Sequence, residues 1–162
     1  MFGQTNSLPA RNSIRLKHYF AVTADFTSAT WNTVASHEIA TVTGMVYMFI
    51  LPECTATLTD AADLARIQLG MTDIPEAIIG STGAAGLAGS TINVGELWFN
   101  TTPSLLATQI NLDGLRVVVA NGNDVGYEIT GAALTGGTMI FHVWWEALDS
   151  TGAVVAGAGG VL

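Results

Sequence analysis

Alternation with a period of two is the dominant pattern along this chain, and it restricts the fold more than any other feature. From His18 to Phe26, the residues His18, Phe20, Val22, Ala24 and Phe26 fall on one face and Tyr19, Ala21, Thr23 and Asp25 on the other. Successive strand side chains point to opposite faces, so this run predicts a half-buried strand. The period returns from Ala65 to Met71 and again from Thr138 to Ala147. In the latter, Met139, Phe141, Val143 and Trp145 share an apolar face, while Thr138, Ile140, His142, Trp144 and Glu146 share a mixed one. Met45 to Leu51 is a continuous apolar run that Pro52 is expected to end, the pattern of a strand covered on both faces. Trp31 to Thr43 is rich in β-formers, and Glu96–Asn100, Leu115–Ala120 and Val125–Thr130 read as further strands. Asn121-Gly122 predicts a hairpin between the last two, and Thr135-Gly136-Gly137 is expected to separate Val125–Thr130 from the final strong strand. A short helix from an Asp60 cap is the weaker alternative ahead of Ala65. Eight or nine short strands without a long amphipathic helix predict an all-β chain, a β-sandwich of jelly-roll type. Residues 18–162 form the single domain of this reading and residues 1–17 a short N-terminal arm.

The stretch 72–95 breaks the strand rhythm. It is rich in Gly, Ala, Ser and Thr, and glycine recurs at Gly80, Gly83, Gly86 and Gly89 without the proline a collagen segment requires. It reads as a long loop, and long loops in compact domains tend to be functional. One so poor in charge fits contact with another subunit, with Gly83, Gly86 and Gly89 as the candidate contact residues.

Charge is scarce and unevenly placed. Only 11% of the residues are charged, and 13 acids against 5 bases give a net charge of −8, where an ordinary soluble domain has roughly 25% charged residues. An acidic body repels nucleic-acid phosphates and anionic membrane surfaces, so neither is an expected partner. Yet Arg11, Arg15 and Lys17 precede any acid, making a basic arm that reads either as a frayed terminus or as a strap for an acidic partner or a neighbouring copy. The first residues do not read as a signal peptide, and no stretch reads as a membrane span. Cys54 is the single cysteine, which excludes an intrachain disulfide and a multi-thiolate zinc site and fits assembly in a reducing cytosol.

No catalytic constellation is visible. His18, His37 and His142 lack the paired spacing that prepares a metal face, and His37 and Glu38, adjacent on a strand, point to opposite sides. Asn121, Asn123 and Asp124 lack the oxygen spacing of a calcium loop. The glycines at 80–89 lack the lysine and the strand-to-helix setting of a phosphate loop. Neither an enzyme, nor a cofactor, nor a metal site is therefore expected. Trp31, Trp98, Trp144 and Trp145 are candidates for stacking on sugar rings, although packing is the commoner fate of tryptophan on a strand. The chain holds 20 Thr, 22 Ala and 18 Gly but one lysine. Its sheet edges thus lack the usual lysine guards, and some are expected to be covered in a homo-oligomer, a trimer being favoured.

The segment from Thr30 to Gly44, with its aromatic start and Val42-Thr43-Gly44 turn, resembles a recurring stretch of small virion proteins of tailed bacteriophages. So do Ile129-Thr130-Gly131, the run from Thr135 to Leu148 and the Val154-Val155-Ala156-Gly157 tail. The resemblance implies a capsid decoration, or cement, protein: an oligomeric β-sandwich, assembled in the host cytoplasm, that binds the major capsid protein on the capsid exterior and braces subunit junctions. A carbohydrate-binding β-sandwich and a phage tail, fibre or neck component are the alternatives.

Overall fold

In the computed structural model, which describes residues 16–85, 91–103, 115–120 and 122–159, the chain is all-β. Its elements are β1 (His18–Asp25), α1 (Ala29–Asn32), β2 (Ser36–Thr43), β3 (Val46–Asp60), β4 (Arg66–Met71), β5 (Ile74–Gly83), β6 (Arg116–Val119), β7 (Val125–Thr130), β8 (Leu134–Ala147) and β9 (Ala153–Ala156). A four-stranded sheet runs β1-β8-β3-β6 and a five-stranded sheet β5-β4-β7-β2-β9, with antiparallel pairing throughout. The two sheets close on one another as a β-sandwich.

The alternation read from the sequence is what builds the core. Val22 and Ala24 of β1, Met48 and Ile50 of β3, and Met139, Phe141 and Val143 of β8 face inward from the four-stranded sheet. Ile67 and Leu69 of β4, Tyr127 and Ile129 of β7, and Ile39 of β2 meet them from the other. Tyr127 is the hub. Its ring lies parallel to Phe141 with centroids 5.3 Å apart, stacks on His37 at 5.1 Å and meets Phe26 edge-on at 5.8 Å. Its hydroxyl donates to the Trp31 carbonyl at 2.6 Å, and burial pushes the phenol pKa well above its ordinary range.

Several local expectations are corrected by the tertiary context. Pro52 does not end a strand: β3 continues to Asp60, and Pro52 lies opposite Phe141. Its carbonyl accepts from Trp98 N at 3.0 Å. A residue's N–H and C=O point to the same side of a strand, so the missing N–H falls on the irregular 95–98 side and no β8 bond is lost. Residues 72–95 are not one loop, because Thr72-Asp73 makes a tight turn and β5 then pairs back along β4. Glu96–Asn100 contributes only a single bridge, Glu53 with Leu97.

The hairpin expected at Asn121-Gly122, of which Asn121 lies outside the described residues, does not join the strands on either side. The flanking strands β6 and β7 belong to different sheets, β6 pairing with β3 and β7 with β4 and β2. Thr135-Gly136-Gly137 lies inside β8, where Gly136 opposes Thr59. Gly137 there has φ +105°, and a Cβ on it would lie 2.7 Å from the Leu58 backbone, so only glycine fits this irregularity. Trp31 sits on the single turn α1, which Ser28 caps, rather than on a strand. Asp60 starts no helix; its carboxylate accepts from the N–H groups of Asp63, Leu64 and Ala65 and closes a turn.

Candidate functional site

The two long strands β3 and β8 lie side by side through the middle of the four-stranded sheet, so their outward positions define its outer face. Direct opposition sets Tyr19 against Trp144, and Trp144 against Phe49, across β1, β8 and β3. The rings form a continuous ribbon, with Tyr19–Trp144 and Phe49–Trp144 centroids both 5.2 Å apart. Tyr47, Leu51, Ile140 and Val118 extend this face. Phe49 is 9% exposed although it points away from the core, flanked by the stacked Trp144 ring on one side and Arg116 on the other; Tyr19 and Val118 are 54% and 55% exposed. Cross-strand aromatic pairs of this kind stabilise a sheet and leave apolar rings facing out.

Polar groups are set into the same face. His142 Nε2 lies 3.0 Å from Glu53 Oε2, and its Nδ1 lies 2.8 Å from the Tyr19 hydroxyl. A ring protonated on Nε2 donates to Glu53 and accepts from Tyr19, so three side chains from β1, β3 and β8 hold one another's orientation. Such a group can present fixed hydrogen-bonding atoms beside the Trp144 ring. At the end of the face, Lys17 Nζ pairs with Glu146 at 2.8 Å. The sequence contains all of these residues, but no local signal joins Tyr19, Glu53 and His142, which lie far apart along the chain.

The other residues with chemical potential are absorbed by the framework. Trp98 is fully buried, and its indole N–H donates to Thr82 Oγ1 at 3.0 Å. His37, also fully buried, has Nδ1 3.0 Å from the Thr30 carbonyl and Nε2 2.9 Å from the Thr33 carbonyl, which ties α1 to β2. Cys54 is buried, and desolvation pushes its thiol up to about 11, the opposite of an activated thiolate. Asp149 accepts from Met45 N and from Thr151 N and Oγ1, all at 2.9 Å; the Thr151 hydroxyl leads in holding its carboxyl below the usual range, and the group closes a turn. Among the described residues, no group of three or more His, Cys, Asp or Glu is placed to hold a metal, and no helix is long and apolar enough to cross a membrane.

Of the contact residues read from the sequence, Arg11, Arg15, Gly86 and Gly89 lie outside the described residues. Lys17 adjoins the aromatic face through Glu146. Gly83 is buried within β5, opposite Arg66, so it belongs to the framework of its own chain. Comparison of the chain with protein-family models, with curated proteins and with solved structures finds no match.

Proposed function

We propose that this chain is a structural virion protein of a tailed phage, an accessory protein that decorates the capsid exterior and docks on the major capsid protein through the outer face of its four-stranded sheet. The observation that carries the reading is that face: a cross-strand aromatic ribbon with apolar neighbours, where the outward positions of β4, β7 and the start of β2 on the other sheet are polar. Uncovered apolar surface of this kind marks association sites. The pairing order supports the architectural part. Strands β1 to β8 run 1-8-3-6 in one sheet and 5-4-7-2 in the other, the order of an eight-stranded jelly roll, with β9 added beside β2. Jelly rolls serve in viral capsids and in lectins, a support that is analogy at the level of fold. In use, each copy buries a modest apolar area, at about 25 cal/mol per Å², and a shell sums many such contacts across seams between capsid subunits.

The test is co-sedimentation of the purified chain with shells stripped of accessory proteins. Wild type is expected to bind; Val118→Glu and Trp144→Ser are expected to lose binding while keeping the far-ultraviolet spectrum of the folded chain. Wild type that ignores the shells removes the capsid reading, and variants that bind normally move the docking face elsewhere. The sugar-binding reading keeps one observation in its favour, the Trp144 and Tyr19 rings beside the oriented His142 and Glu53 pair. Glycan-array binding abolished by Trp144→Ser would favour it over the capsid.

A further inference from the structure

Among the described residues, four strands end the two sheets, and three of them carry protection against pairing with another chain. β6 and β9 are four residues long, and β6 begins with Arg116. β5 is longer but has Pro75 and Glu76 and an irregular register along β4. Short edges, prolines, charges and bulges are the devices that keep sheet edges single. β1 has none of them. It pairs with β8 in unbroken register over all eight residues, and the interior from Tyr19 to Ala24 contains no proline, glycine or charged carboxylate or lysine.

The register also says which backbone groups β1 presents. Phe26 N donates to Gly137 O at 3.0 Å, one step beyond the Asp25–Thr138 pair. In an antiparallel ladder the hydrogen-bonded positions alternate, so the even-numbered residues bond to β8 and the N–H and C=O groups of Tyr19, Ala21 and Thr23 point outward. Those three residues are exposed.

We propose that β1 is a self-pairing edge: two copies join their β1 strands antiparallel about a two-fold axis at Ala21, merging two four-stranded sheets into one. Ala21 then opposes Ala21 of the partner subunit, and Tyr19 opposes Thr23 of the partner subunit. The outward backbone groups satisfy each other in about six hydrogen bonds, two per bonded residue pair. Charge selects this register. Lys17, whose ammonium also pairs with Glu146 of its own chain, and Asp25 lie four residues to either side of Ala21, so each Lys17 faces Asp25 of the partner subunit, while a parallel alignment would set like charges together. The Asp25 carboxylate that accepts from Thr27 uses one oxygen, Oδ1, for both bonds. A two-fold contact is isologous and closes at two copies, in place of the three-fold ring favoured from composition.

Light scattering on the full chain tests this, with two variants at the axis. Wild type is expected at twice the chain mass. Ala21→Pro is expected to weaken the dimer at least about tenfold, roughly 1.4 kcal/mol, with an unchanged far-ultraviolet spectrum, because the N–H it removes makes no bond to β8. Ala21→Cys under mild oxidation is expected to give a covalent dimer, which wild type, with only the buried Cys54, does not. A monomeric or trimeric wild type overturns the proposal, as does an Ala21→Pro dimer of unchanged affinity. If Ala21→Pro does not fold, the cross-link decides, and a folded Ala21→Cys chain that stays uncross-linked overturns it. The proposal is independent of the capsid reading: a chain that dimerises yet ignores shells removes that reading alone.

Discussion

The outer faces of the two sheets are built from the same alternating pattern yet have opposite character. On the five-stranded sheet the outward positions carry Arg66, Gln68, Glu128, Ser36 and Glu38. These side chains bond to one another and to neighbours: Gln68 Nε2 donates to Glu128 Oε2 at 2.5 Å, Arg66 Nε to Ser81 Oγ at 2.9 Å, and Thr41 Oγ1 to Glu38. On the four-stranded sheet the corresponding positions carry Tyr19, Trp144, Phe49, Leu51 and Val118, with Glu53, His142, Glu146 and Arg116 set among them. A sandwich needs only one apolar face per sheet, and water satisfies a polar outer face at no cost in exposed hydrocarbon. The second apolar face is not needed to close the core, and it is the face through which the proposed docking on the capsid would run.

Truncations at the inner layer and at each outer face turn that comparison into measurements, and urea unfolding ranks them. Phe141→Ala, in the layer shared by both sheets, is expected to cost about 3–5 kcal/mol, the range for a large aromatic removed from a packed core. His37→Ala removes a buried ring and the hydrogen bonding of its nitrogens to the loop at Thr30 and Thr33, and is expected to cost about 1–3 kcal/mol; an Asn at this position that recovers part of the loss would identify the hydrogen bonding rather than the ring stacking as the source. Phe49→Ala, outward but covered, is expected to fall near 1–3 kcal/mol, or about the value for burying one large apolar side chain. Gln68→Ala, its counterpart on the polar face, is expected to stay within about 0.5 kcal/mol. Equal losses at Phe49 and Gln68 would erase the distinction between the faces.

Cys54, inward on β3 where the 92–96 segment crosses it, reports on the inner layer through pH. Its thiol is raised to about 11 by burial first, with a backbone hydrogen bond at Ala56 opposing. An unfolded chain releases this proton near pH 9, while the folded chain holds it, so the unfolded state binds fewer protons between the two values and stability falls as pH rises from about 9 to 11. Tyr127, also raised by burial, adds a loss of the same sign above its ordinary range. Native chain is accordingly expected to resist iodoacetamide at pH 8 and to react once urea unfolds it. Rapid alkylation without urea would show that the inner layer opens at β3.

Most of the strands were legible because burial on one face forces a period of two, and that period is local. β1, β7 and the apolar half of β8 fall where the alternation places them. The misreadings share one cause. Pro52, Asn121-Gly122 and Gly136-Gly137 are punctuation marks whose local preference is real: the proline lacks an N–H, and Gly122 and Gly137 adopt positive φ. Whether a preference ends a strand, closes a hairpin or makes a bulge depends on which neighbour lies on which side, and that neighbour comes from elsewhere in the chain. The candidate site was illegible for the same reason. Outward and inward positions on β8 both contain aromatics, so the sequence does not tell Trp144, on the outer face, from Trp145, which stacks on His18 at the inner one.

By itself the sequence determined an all-β sandwich with little charge, because alternation and composition act on each segment separately. Only the tertiary structure decided that the chain crosses between sheets at almost every connection, that Trp98 is buried, and that Tyr19, His142 and Glu53 meet on one face. Those outcomes are contacts between residues far apart along the chain, chosen by the mutual burial of whole strands, and no local window contains the partner that selects them.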